Sequence, residues 1–149
     1  MRTTTEGTPG GYAAVNGLDM YYEVHGTGRP LVLLHGGLSA IEIDFGRVLP
    51  TFAESRQVIA VKQQGHGHTA DIDRPLKFEQ MADDTAELLR QLEIESADFF
   101  GYSMGGDIAL HIALRRPDLV RKLVFAGGTA DWLRSMVTEF LDAPMPERT

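Results

Sequence analysis

Residues 101–106 read Gly101-Tyr102-Ser103-Met104-Gly105-Gly106, a serine with glycines close on both sides. The apolar run Ala97 to Tyr102 leads into it, and the apolar helix pattern Ile108 to Leu114 follows it. Strand, tight turn and helix with a serine at the corner make a nucleophile elbow, G-x-S-x-G, whose chemistry is attack by the hydroxyl on an electrophilic carbon. The turn is too sharp for Cβ atoms beside the serine, so Gly101 and Gly105 are its structural requirement. The same geometry lifts the hydroxyl above the sheet edge and aims N–H groups at the start of the helix toward it. A second chemical feature lies upstream, where Leu31-Val32-Leu33-Leu34 ends in His35-Gly36-Gly37.

These residues need a scaffold, and the pattern along the chain supplies one. Strand patterns at Tyr12–Val15 and Leu18–His25 flank Asn16-Gly17, a strong hairpin signal because both turn residues tolerate positive φ. Continuous apolar runs at 31–34, 58–61, 97–102 and 123–126 predict strands buried on both faces of a parallel sheet. A helix is expected from about Asp44 to Glu54, kinked at Pro50. Another is expected from Phe78 to Leu92, where Phe78, Met81, Ala82, Thr85, Leu88, Leu89 and Leu92 share one face. Asp83, Asp84, Glu87 and Arg90 are assigned to its solvated face. Asp131 to Leu141, with Trp132, Met136 and Phe140, has weaker helical spacing and is read as the start of a lid helix or a partly exposed tail. The expected class is α/β: a mostly parallel sheet flanked by helices, with an N-terminal antiparallel hairpin. Loops at 35–39, 63–70, 101–105 and 127–131 then share one rim, where such sheets bind ligands. Residues 1–11 read as a flexible tail and 12–149 as one domain.

Composition narrows the partners. A formal net charge of −7 disfavours nucleic acid and anionic membrane surfaces. The absence of cysteine excludes thiolate catalysis and Cys-based zinc sites, and no run approaches a membrane span. A cytoplasmic protein without metal or cofactor is expected.

With the elbow and His35-Gly36-Gly37 together, the sequence resembles the α/β-hydrolase superfamily, nearest to its small esterase-like serine hydrolases. The resemblance runs from about residue 12 to 130 and includes the Gly65-His66-Gly67 loop and Arg116-Pro117-Asp118-Leu119-Val120. It implies Ser103 as nucleophile, Gly37 and Met104 as oxyanion-hole N–H donors, and His35, Gly36, Gly101 and Gly105 as supports. It implies no cofactor and a small ester or related acyl substrate. Two positions depart from the family pattern, since Lys62 and Gln64 stand where Asp and Arg are usual.

The family order is Ser, acid, His. After Ser103 the sequence has one histidine, His111, eight residues along the same helix and so ~12 Å away by helical rise. The chain is therefore read as an incomplete α/β-hydrolase fold, truncated before the triad acid and histidine. Asp131 is a weak candidate for the acid against an N-cap of the Trp132 segment. Asp44 is likewise read as an N-cap. His66 and His68 on the rim are stand-in bases or, more simply, loop formers with solvated rings. His35 is read as a hydrogen-bonding support, His25 as exposed and His111 as satisfied within its helix. The functional alternative is a catalytically silent fragment that self-associates, or binds a partner, through an exposed sheet edge at Leu123–Ala126.

Overall fold

A computed structural model describes residues 2–3 and 10–128. The chain order is β1 (Arg2–Thr3), β2 (Gly10–Val15), β3 (Leu18–His25), β4 (Arg29–Leu34), α1 (Ile41–Asp44), α2 (Leu49–Ala53), β5 (Arg56–Val61), α3 (Phe78–Gln91), β6 (Ala97–Tyr102), α4 (Met104–Arg115) and β7 (Val120–Ala126). One seven-stranded sheet has the order β1-β2-β3-β5-β4-β6-β7. β1, β2, β3 and β5 pair antiparallel in turn; β5, β4, β6 and β7 are parallel. This is the expected α/β class. The hairpin turn has Asn16 at φ 50° and Gly17 at φ 83°, the backbone its Asn-Gly dipeptide favours.

β4 sits between β5 and β6, so the chain leaves it in one direction and later returns on the other side. The loop after β4 therefore opens at the switch point of the parallel sheet. Strand alternation explains the unbroken apolar runs: Val32 and Leu34 face α3 and α4, while Leu31 and Leu33 face α1 and α2. The first layer is closed by Met81, Leu88, Leu89, Ile108 and Ile112; the second by Ile41, Phe45 and Phe52.

The structure differs from the sequence pattern at four places. The single helix expected over 44–54 is two short ones, and Pro50 sits in the first turn of α2, where a missing N–H costs nothing. Between them Gly46 approaches the Glu42 carbonyl so closely that a Cβ would lie 2.3 Å from it. β2 begins at Gly10, and Arg2–Thr3 pairs with Tyr12 and Gly11, so strand extends into the segment assigned to the tail. β7 starts at Val120, before its apolar run. The fourth is Asp84, which is fully buried rather than on a wet face. It accepts from Asn16 Nδ2 (3.0 Å), Gln80 Nε2 (3.0 Å) and Arg74 Nη2 (2.5 Å), tying the hairpin turn and the 74 loop to α3. The lid segment 131–141 lies outside the described residues. Among the described residues no helix is long and apolar enough to cross a membrane.

Removing one partner of a buried ion pair leaves an uncompensated charge. Arg74→Met is therefore expected to lower unfolding free energy by roughly 3 kcal/mol. Asp83→Asn, which breaks a half-exposed pair with Arg115, is expected to cost no more than ~1 kcal/mol. Urea unfolding of both variants checks the contrast.

Candidate active site

Ser103 links β6 to α4 with φ 53° and ψ −118°, a backbone conformation that costs a non-glycine residue roughly 1–3 kcal/mol. Its own N–H donates to the Ala126 carbonyl of β7 (2.7 Å), and its carbonyl accepts from Gly106 N (2.9 Å) and Asp107 N (3.2 Å). The two flanking glycines are fixed by close backbone approach. A Cβ on Gly101 would lie 2.2 Å from the Gly105 carbonyl oxygen, and one on Gly105 would lie 2.0 Å from that of Leu34. Both distances are impossible for real side chains, so α4 can press its first turn onto the ends of β4 and β6 only with glycine there.

The loop after β4 lies against this turn. An ideal Cβ on Gly36 would sit 3.4 Å from Ser103 Cβ, and one on Gly37 would sit 3.6 Å from Met104 Sδ. Asp44, at the last position of α1, accepts from Gly36 N–H through Oδ2 (2.7 Å) and from Ser39 Oγ through Oδ1 (2.8 Å). It is thus a loop clasp and not the expected N-cap. Met104 N–H is in the first helical turn, where no intrahelical acceptor exists. Gly37 N–H has no acceptor among the described residues.

His35 is fully buried. Its Nδ1 lies 2.8 Å from the Gly36 carbonyl, which can only accept, so Nδ1 carries the proton. Nε2 then accepts from Gln63 N–H (3.1 Å). Burial is the chief cause holding its pKa below the ordinary histidine value, and the ring is neutral. His66 departs from the solvated ring expected of it. It is nearly buried, with Nδ1 against the Gln64 carbonyl (2.9 Å) and Nε2 accepting from Leu38 N–H (3.1 Å). His68 stacks on Tyr21 with ring centroids 4.3 Å apart, and its Nδ1 lies 2.8 Å from Lys62 Nζ.

The two departures from the family pattern both have partners. Lys62 is buried and paired with Glu42 of α1; the lysine's hydrogen bond is the main cause lowering the carboxylate's pKa. Gln64 donates to Asp71 Oδ1 (2.8 Å) and the Arg74 carbonyl (3.1 Å), and accepts from Arg74 Nε (2.8 Å). The structure thus brings Ser103, Met104, Gly36, Gly37 and His35 to one rim, with Gly101 and Gly105 beneath. It does not bring His111 there: its ring packs 6.1 Å from Phe78 along α4. His25 pairs with Glu23 at the end of β3. Asp131 lies outside the described residues. The roles of Asp44 and His66 have no local sequence signal, since their partners are 8 and 28 positions away.

Fold and rim together define a layered α/β protein with a serine at the elbow, and comparison with known proteins gives the family. Residues 29–145 match the alpha/beta hydrolase fold family, and the chain belongs to it. It is 37% identical over 121 residues to the 2-hydroxymuconate semialdehyde hydrolase of Pseudomonas sp. (strain CF600), covering 79% of this chain and 42% of that protein. It is 34% identical over 122 residues to the human serine hydrolase BPHL, covering 78% and 42%. A solved structure, that of Est816, an N-acyl homoserine lactone degrading enzyme, superposes with a TM-score of 0.71 at 30% identity, covering 76% and 43%. The chain therefore spans about two fifths of the length of the relatives it matches.

A histidine held neutral by burial takes up its proton more readily when unfolded. Its contribution to stability is present above the ordinary value of 6.5 and is lost as pH falls below it. Thermal unfolding is expected to shift down between about pH 7.5 and about pH 5.5. His35→Gln, measured in parallel by circular dichroism, is expected to show a smaller shift.

Proposed function

We propose that this chain carries the nucleophile and oxyanion-binding portion of a serine hydrolase acting on a small ester or related acyl compound. The observation that carries this reading is Ser103 at positive φ on the elbow, with Gly36 against it and Gly37 against Met104. In the reaction, Ser103 Oγ attacks the carbonyl carbon and passes its proton to a base. The oxygen that becomes negative is held by the N–H groups of Gly37 and Met104, a type of contact whose loss typically costs ~10²–10³ in rate. The alcohol departs with the proton, and water then hydrolyses the acyl-Ser103 ester. A serine at this corner disfavours chemistry through an alkylated carboxylate. Relatives named for semialdehyde hydrolysis and acyl homoserine lactone degradation support a carbonyl substrate.

On this reading the base belongs to residues outside those described. His35 and His66 each use their unprotonated nitrogen to accept a backbone N–H, and His111 stands along α4. Loss of the triad histidine costs ~10⁶ in kcat in a well-studied protease. A second reading, a silent chain that associates through its sheet edge, is favoured by β7, the edge strand on the parallel side of the sheet among the described residues, where Val124 is 52% exposed.

In a chimera joining this chain to the remainder of the matched semialdehyde hydrolase, a fluorophosphonate is expected to label Ser103, as located by peptide mass mapping. Absence of labelling in folded chimera would sink the nucleophile assignment. The 149-residue chain alone is expected to hydrolyse p-nitrophenyl acetate no faster than its Ser103→Ala variant. Turnover that disappears in that variant would place a base within these residues and exclude the silent reading.

A further inference from the structure

Three consecutive backbone N–H groups follow His35, and they are treated differently. Gly36 N–H is taken by Asp44 from α1, and Leu38 N–H is taken by His66 from the loop after β5. Only the middle one, Gly37 N–H, is without an acceptor among the described residues. Leu38 adopts φ 55°, an uncommon conformation for a side chain of its bulk, and its side chain is exposed, so packing does not hold it there. What meets its backbone is the His66 nitrogen.

The two histidines form a reciprocal arrangement. His35, on the loop after β4, accepts an N–H from Gln63 on the loop after β5; His66, on the loop after β5, accepts an N–H from Leu38 on the loop after β4. Each contact spans 28 positions, and the rings lie 5.0 Å apart. In each ring a carbonyl fixes the proton on Nδ1, which leaves Nε2 as the acceptor.

We propose that His66 is a positioning residue: with Asp44 it brackets Gly37, and through Leu38 N–H it holds the Gly37 N–H in its oxyanion-binding direction. This rests on the reading of Gly37 as an oxyanion donor. The brace works only with His66 neutral, because a proton on Nε2 would set a donor against the Leu38 donor.

The test uses the isotopically labelled 149-residue chain in solution and does not depend on any reaction at Ser103. A scalar coupling across the hydrogen bond between Leu38 N and His66 Nε2 is expected in the unaltered protein. His66→Phe keeps a ring but removes the acceptor; Leu38 amide exchange, normalised to that of Ile59 in β5, is expected to rise at least tenfold, with broadening at Gly37. His66→Gln places an oxygen near the lost nitrogen and is expected to restore exchange to within threefold. Absence of the coupling, or His66→Phe exchange within twofold of the parent at Leu38 with Gly37 unchanged, would overturn the brace. Failure of Ser103 labelling in the chimera would instead overturn the hydrolase reading and leave these results standing.

Discussion

The contact on which the rest of the molecule depends is the seating of α4 on the ends of β4 and β6. A helix backbone can come this close to two strand ends only if nothing projects between them. Gly101 and Gly105 provide that absence, with Cβ positions that would fall 2.2 Å and 2.0 Å from backbone oxygens. Once the helix is seated, the peptide at Ser103 has no freedom left. Its N–H is taken by Ala126 and its carbonyl by the first turn of α4. The unfavourable dihedrals are then imposed from both sides, by the β6–β7 ladder and by burial of Ile108 and Ile112. Strain of a few kcal/mol persists at a site only when its surroundings over-determine it in this way.

The same seating brings the loop after β4 into contact with the serine, because Gly105 rests on the carbonyls of Leu34 and His35. Sheet order does the rest. With β4 between β5 and β6, the loops leaving β4 and β5 are neighbours, and their polar groups satisfy one another across the gap. A buried N–H without an acceptor costs about 1–3 kcal/mol. Supplying the buried Gln63 N–H with an imidazole nitrogen therefore stabilises its loop, and the part-buried contact at Leu38 helps fix the relative position of the two loops.

The periodic parts of this architecture were readable from sequence, as were the residues of the elbow. Asn16-Gly17, the apolar runs of the parallel strands and the 78–91 helix are signals within short windows, and each appears close to its expected place. What escaped were features made by partners distant in the chain. Asp84 has the residue type and helical neighbours of a solvated position, and only the arrival of Arg74 and Asn16 makes its burial tolerable. His66 looks like a turn residue in a Gly-His-Gly loop until Leu38 is placed against it. Lys62 in place of the family's usual aspartate reads as a defect in one dimension. In three dimensions Glu42 supplies the opposite charge from α1.

The division of labour among the described rim residues follows from the same geometry. Stabilising negative charge on an oxygen needs only backbone N–H groups, and under the proposed reading those of Met104 and Gly37 serve. Accepting a proton needs a side-chain lone pair aimed at Ser103. His35 and His66 have one unprotonated ring nitrogen each, and each is turned toward a backbone N–H of the neighbouring loop. Redirecting either ring would take the acceptor away from a backbone donor and loosen the tie between the two loops. Bracing the loop that carries Gly37 and accepting a proton from Ser103 thus make incompatible demands on the same imidazoles, and under the proposed hydrolase reading the base comes from a different element.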